Sequence, residues 1–233
     1  MLGMALAVVL LSGGLDSSTA LARTIERGCE VITLTFSYGQ RHSRELGSAK
    51  KVADHYGVRR QITVDLDIGK YLDSSLTQPS MRIPTGADGQ DDRPSIPSTY
   101  VPARNIVFMS VAAAIAESVG ADRVVIAVNS VDFSDYPDCT PRFIDAYQKM
   151  LEVGTRVGVD GRAVLIDAPL LEMSKAEIVR EAVRLGVPLE LTWSCYAGGA
   201  KACGVCDSCR LRLKGFREAG AKDPVEYERR GEV

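Results

Sequence analysis

The sequence predicts an α/β fold, a parallel sheet with helices on both faces, followed by a small cysteine-rich C-terminal segment. Three observations predict it. Short runs rich in Val, Leu and Ile alternate with helix-like stretches through most of the 233 residues. The first run, residues 5–11, passes without a linker into Ser12-Gly13-Gly14-Leu15-Asp16-Ser17 and then into a helix. From Trp193 onward the rhythm stops, and four cysteines fall within fifteen residues. Residues 1–192 are therefore expected to form the α/β domain and 193–233 the appended segment.

Each element has its own signal. Residues 5–11 are apolar throughout, as an interior strand covered on both faces must be. A helix over 16–27 follows and stops at Gly28. β-Branched residues and Phe36 mark 31–36 as the second strand. A helix over 42–55 places Leu46, Ala49 and Ala53 on one face, and 61–65 reads as a third strand. Residues 105–119 are alanine-rich and almost wholly apolar, a buried helix ended by Gly120. Strands over 123–128 and 163–167 enclose a helix over 141–153. Ser174 and Glu177 have capping-box spacing, with Ile178, Ala182 and Leu185 as the apolar stripe of the helix they open. Residues 78–99 break the pattern with four prolines, two glycines and no periodicity. Loops this long in compact domains are lids or plain insertions, and a flap over the site is expected here.

Bulk composition excludes several classes. A hydrophobic content of 45% with 25% charged residues is that of a soluble globular domain. The net charge of −2 offers no general attraction to nucleic acid or to an anionic membrane, so neither is expected as a partner. The apolar N-terminal run is too short to span a bilayer and lacks the charged start of a signal peptide. A cytoplasmic location is expected, where cysteines serve metals or catalysis more than disulfides.

The junction after the first strand builds an anion site from backbone. The Gly-Gly turn is free of side chains, and the helix behind it presents unpaired N–H groups and the positive end of its dipole. Ser12, Ser17 and Ser18 add hydroxyls, and Asp16 suits a metal that accompanies phosphate. Neither the Walker sequence nor the dinucleotide Gly-x-Gly-x-x-Gly is present. SGGLDS resembles instead the pyrophosphate loop of the ATP pyrophosphatases, which implies an adenine nucleotide alpha hydrolase-like fold. The segment Leu10, Leu11, Ser12, Gly13, Gly14, Leu15, Asp16, Ser17, Ser18, Thr19 and Ala20 is accordingly the expected ATP-binding stretch, with magnesium accompanying ATP.

Cys195, Cys203, Cys206 and Cys209 form C-x7-C-x2-C-x2-C. Four thiolates this close satisfy a tetrahedral zinc, and with every position filled by protein the ion is structural, one per chain. Gly198, Gly199 and Gly204 supply backbone freedom around it. The spacing alone leaves an iron–sulfur cluster open.

The loop and cysteines resemble, together with several segments between them, the 7-cyano-7-deazaguanine synthase family of queuosine and archaeosine precursor synthesis. The matching segments are Phe36-Ser37-Tyr38-Gly39-Gln40-Arg41-His42 with Glu45, Tyr100-Val101-Pro102-Ala103-Arg104-Asn105, Asn129 through Asp135-Tyr136-Pro137-Asp138-Cys139, and residues 169–178. The resemblance implies an ATP-dependent ligase acting on 7-carboxy-7-deazaguanine and ammonia. It leaves a homodimer open. Lys175, a cation in the first turn of a capped helix, opposes the dipole there and is expected to reach phosphate. Arg41, His42 and Arg104 are candidates for phosphate or substrate contacts. Asp132, Asp135 and Asp138 follow the 123–128 strand, where ligands of open sheets bind, and are candidates for the purine edge or a general base. Asp16, Lys175, Arg104, Asp132 and Asp135 are thus the expected catalytic set. Two other readings compete: a tRNA-thiolating relative using Cys139, and a non-catalytic zinc-ribbon interaction protein.

Overall fold

The computed structural model describes residues 4–85, 96–131 and 136–229. Among them five strands form one parallel sheet in the order β3-β2-β1-β4-β5. The strands are β1 (Leu6–Leu10), β2 (Glu30–Ser37), β3 (Arg60–Asp65), β4 (Arg123–Val125) and β5 (Leu165–Asp167). Strand β1 lies between β2 and β4, with Val8 opposite both Ile32 and Val124. That central place explains its unbroken apolar run. The fourth strand stops three residues before the expected end at 128: Val125 is the last residue paired to both β1 and β5, and β5 itself ends opposite it at Asp167. Residues 126–128 then leave the sheet toward its carboxyl edge.

Helices cover both faces, as expected. On one, α3 (Arg104–Val119) and α4 (Pro141–Gly154) pack Met109, Ala112, Ile144 and Leu151 against Val8, Leu34 and Val124. On the other, α1 (Leu15–Glu26), α2 (Arg44–His55) and α6 (Lys175–Arg184) pack Leu21, Val52 and Ile178 against Ala7 and Val9. A short α5 (Arg156–Val159) follows α4. The buried face of α1 carries Thr19 and Thr24. Their hydroxyls are satisfied within the helix by the carbonyls of Leu15 and Ala20, at 2.8 and 2.7 Å. The capping box at α6 forms as the spacing requires: the Ser174 hydroxyl accepts from Glu177 N–H, and the Glu177 carboxylate accepts from Ser174 N–H.

The C-terminal segment contains a helix absent from the sequence reading, α7 (Asp207–Glu218), which packs on α6. Its buried residues are Cys209, Arg212, Gly215 and Phe216. The helical period is present only if an arginine and a glycine count as core positions. Arg212 is 4% exposed at its side chain and pairs bidentately with Asp223, 2% exposed, at 2.7 and 2.9 Å. It also donates to Thr192 Oγ1 and the Leu189 carbonyl, and Tyr227 donates to Asp223. Removing one partner of such a pair strands the other charge in the interior. Asp223→Ala should therefore lower stability by about 3–5 kcal/mol. Lys50→Ala, which breaks only an exposed pair with Asp54, should leave the urea midpoint unchanged. Equal midpoints for the two variants would contradict this.

Candidate active site

The strand order reverses direction at β1, whose neighbours β2 and β4 lead to opposite halves of the sheet. Such switch points open a crevice at the carboxyl ends of the strands. The Ser12–Ser17 loop lies there, on the wall of a cavity of about 280 Å³. Gly13 has φ +80°, and a Cβ on it would fall 2.4 Å from Ala49 N and 2.7 Å from the Glu45 carbonyl oxygen. Only glycine lets the loop rest on the α2 backbone so closely. Gly14 differs: a Cβ there would meet its neighbours at 3.5 Å or more, an ordinary contact. Its role is to begin α1 in extended conformation with no side-chain cap, leaving the first N–H groups for a ligand. Ser12 and Ser17 brace the loop, with hydroxyl oxygens 3.0 Å apart and Ser17 Oγ accepting from Ser12 N–H.

The expected ATP stretch divides in the fold. Leu10, Leu11, Ser12, Gly14, Leu15, Asp16 and Ser17 line the cavity. Gly13 faces α2, while Ser18, Thr19 and Ala20 are wholly buried in α1 and form no part of the cavity wall. The helix turns them from the loop into the core.

The structure joins Asp16 to Lys175, residues 159 apart in sequence, with Lys175 Nζ donating to Asp16 Oδ2 at 2.6 Å. The lysine is almost buried, so the carboxylate offsets both its desolvation and its unfavourable place at a helix start. Gly215 of α7 makes room for it, since a Cβ there would lie 2.4 Å from Lys175 Cγ. Arg104 also lines the cavity, at the start of α3 after Ala103, a non-glycine residue with φ 55°. Burial opposes its charge, but Tyr38, Asp138 and Tyr196 outweigh that and raise its pKa.

Other candidates lie elsewhere. Arg41 donates to the carbonyls of Ser75, Pro79 and Met81, so it anchors the beginning of the 78–99 segment. His42 precedes α2, which begins at Arg44, and its ring packs where a Cβ on Gly198 would fall 2.4 Å from Cγ. Burial lowers its pKa. Asp132 and Asp135 lie outside the described residues, as do residues 86–95 of the expected flap. Asp138 is buried off the cavity; Oδ2 accepts from Asn105 N–H, and Oδ1 lies 3.8 Å from the Cys139 thiol. Cys139 is on the wall, but burial and then Asp138 push its thiol up to about 12.

Sequence reasoning gave no role to Glu45, which appeared only inside a longer motif. It stands in the first turn of α2 and lines the cavity. Burial pushes its carboxyl up to about 7, against the opposing effect of Arg104. The aromatic wall of Tyr38, Phe108, Tyr136 and Tyr196 was likewise unassigned.

The four cysteine sulfurs lie within 4.8 Å of one another. Cys195 Sγ accepts N–H groups from Ala197 and Cys203, and Cys203 Sγ accepts that of Cys206. Backbone N–H groups aimed at sulfur suit thiolates, and four such donors fit tetrahedral zinc. The expected glycine freedom is real at two positions. Gly198 and Gly204 have φ of +68° and +78°, and a Cβ at Gly204 would overlap the Arg229 carbonyl oxygen. The segment is also a wall of the cavity, through Trp193, Ser194, Tyr196, Ser208 and Leu211. Trp193 N–H donates to the Gly13 carbonyl at 2.8 Å, and the Arg44 guanidinium lies 3.9 Å above the Trp193 ring. Metal analysis should find about one zinc per chain and no visible absorbance from iron. Cys206→Ser should lose the zinc and destabilise the chain, since such sites contribute on the order of 10 kcal/mol to the folds they close. A stable Cys206→Ser protein lacking activity alone would defeat a structural role.

The sequence profile described as "Queuosine biosynthesis protein QueC" matches residues 6–220. The chain is 52% identical over 223 residues to the 7-cyano-7-deazaguanine synthase of Thermoplasma acidophilum, covering 96% of this chain and 92% of that one. It is 52% identical over 219 residues to the enzyme of that name from Trichodesmium erythraeum, covering 94% and 99%. Among solved structures, NMN synthetase from Francisella tularensis superposes with a TM-score of 0.47 at 14% identity, covering 95% of this chain and 79% of that one. With the match running from β1 through α7, the chain belongs to the QueC family of queuosine biosynthesis proteins.

Proposed function

We propose that this chain is an ATP-dependent ligase that converts 7-carboxy-7-deazaguanine and ammonia to 7-cyano-7-deazaguanine. The observation that carries the reading is a single cavity with a pyrophosphate-type loop at one end and charged, aromatic side chains at the other. A nucleotide and a planar acid held there would meet.

The chemistry follows from what a carboxylate lacks. Its charge repels nucleophiles, and oxide cannot leave. Attack of a carboxylate oxygen on the α-phosphate of ATP forms the acyl adenylate and breaks the bond to pyrophosphate. The departing charge develops over the first N–H groups of α1 and beside Ser12 and Ser17. Lys175 stands next to that position, held by Asp16. Magnesium bound with ATP would neutralise charge on the phosphates, and Asp16, on the cavity wall, is the residue to hold it. Arg104 is the cation that draws in the substrate carboxylate. Ammonia then attacks the acyl carbon, AMP leaves and a proton is lost, giving the amide. Attack of the amide oxygen on the α-phosphate of a second ATP releases pyrophosphate and one N–H proton, and loss of that oxygen with AMP and of the remaining N–H proton leaves the nitrile.

The thiolation reading is disfavoured by Cys139 itself. A thiol pushed up to about 12 is protonated at neutral pH, whereas a persulfide carrier needs a thiolate. Six unpaired cysteines fit a reducing, cytoplasmic setting. Among the described residues no helix is long and apolar enough to cross a membrane.

Mass spectrometry after incubation with ATP, an ammonium salt and 7-carboxy-7-deazaguanine should show the nitrile, and its absence would refute the reading. Asp16→Ala should reduce pyrophosphate release at least roughly 100-fold while circular dichroism stays unchanged. Turnover near wild type would remove Asp16 from the site. Cys139→Ala should retain most of its turnover with the deazaguanine, and tRNA thiolation by the wild type would sink the larger assignment.

A further inference from the structure

A deazaguanine presents three groups in a row along one edge: a carbonyl acceptor, a ring N–H and an exocyclic amine. An arginine complements the first and one carboxylate complements the other two. Of the carboxylates expected for this task, Asp132, Asp135 and Asp138, only Asp138 lies among the described residues. Asp138 is buried off the cavity and takes the Asn105 N–H. Asp16 is held by Lys175.

We propose that Glu45 is the specificity-determining residue that accepts the ring N–H and exocyclic amine of the deazaguanine, with Arg104 beside it facing both the ring carbonyl and the carboxylate next to it. This rests on the substrate assigned above. Three observations carry it. Glu45 and Arg104 line the same cavity and interact electrostatically, so a single planar edge can meet both. Among the described residues the Glu45 carboxylate makes no hydrogen bond or ion pair, although it is half-buried in the cavity wall. A carboxylate in such a place without donors is unfavourable unless a ligand supplies them. Finally, its position is fixed by main chain: the Glu45 carbonyl is part of the surface that receives Gly13, so Glu45 and the phosphate loop keep one spacing. Tyr38, Phe108 and Tyr196 flank the space with rings on which a planar base can lie.

The test compares the zinc-loaded wild type and Glu45→Gln with two substrates, 7-carboxy-7-deazaguanine and the analogue lacking the exocyclic amine. A glutamine keeps the shape but offers one acceptor and one donor. Wild type should disfavour the analogue by about 100-fold or more in kcat/KM. The variant should lose about 100-fold on the guanine substrate, mainly in KM, and bring the two substrates within about threefold. A loss confined to kcat would make Glu45 a base and overturn the proposal, as would an equal loss on both substrates. Wild type that accepts the analogue as readily as the guanine would overturn it without any variant. Calorimetric titration of both compounds into both proteins reads the same discrimination as binding. It therefore decides the role of Glu45 even if no nitrile forms, an outcome that would refute the reaction but not the edge contact.

Discussion

Gly13 carries no Cβ, and the backbone of α2 occupies the space this leaves, close enough that any side chain would collide with Ala49 N. The same residue offers its carbonyl to the N–H of Trp193. Three parts of the chain thus meet at one peptide: the end of β1, the first turns of α2 and the start of the cysteine segment. The spacing between them is set by van der Waals contact and a hydrogen bond, both of which tolerate little displacement. The Ser12–Ser17 loop, Glu45 and the aromatic wall therefore share a common frame of reference.

The cysteine cluster acts within that frame. With a metal bound, a closed four-thiolate site would have no coordination position to spare for chemistry, and its contribution would be mechanical. The cysteines pack with Trp193 and Ala202 into one small buried cluster, and the same stretch of chain supplies Trp193, Ser194 and Tyr196 to the cavity. The bridge between Thr85 and Cys206 brings the beginning of the long 78–99 segment to the same cluster. Arg212 then ties α7 to Asp223 and Thr192 from inside. Bidentate geometry makes an internal charge tolerable there, and it sets α7 in the register that leaves Gly215 against Lys175.

Charge at the site is organised in pairs, each member of which makes little sense alone. Lys175 opposes its own helix dipole until Asp16 is placed beside it. Arg104 is half-buried beside Tyr38, Tyr196 and the Asp138 carboxylate, whose effect outweighs its desolvation. These pairs hold charge in the cavity wall, where interactions between charges are stronger than in water.

The parts of this protein that depend on neighbours in sequence were legible in the sequence. Strand and helix periods, the capping box at Ser174, the anion loop and the cysteine spacing all act over a few residues, and the fold class followed from their alternation. Boundaries shifted where tertiary pairing decided them, as at β4, which ends opposite the last residue of β5. Helix α7 escaped notice because its buried stripe includes an arginine whose partner lies eleven residues away. The motif around the loop named Ser18, Thr19 and Ala20 along with their neighbours, but only the helical turn after Ser17 assigns them to the core. Tertiary structure alone decided that Asp16 meets Lys175, that the cysteine segment is a wall of the site, and that Glu45 faces the cavity while Asp138 does not. Each of these depends on distances between elements far apart in the chain, and local physical chemistry carries no information about those distances until the sheet order and helix packing have set them.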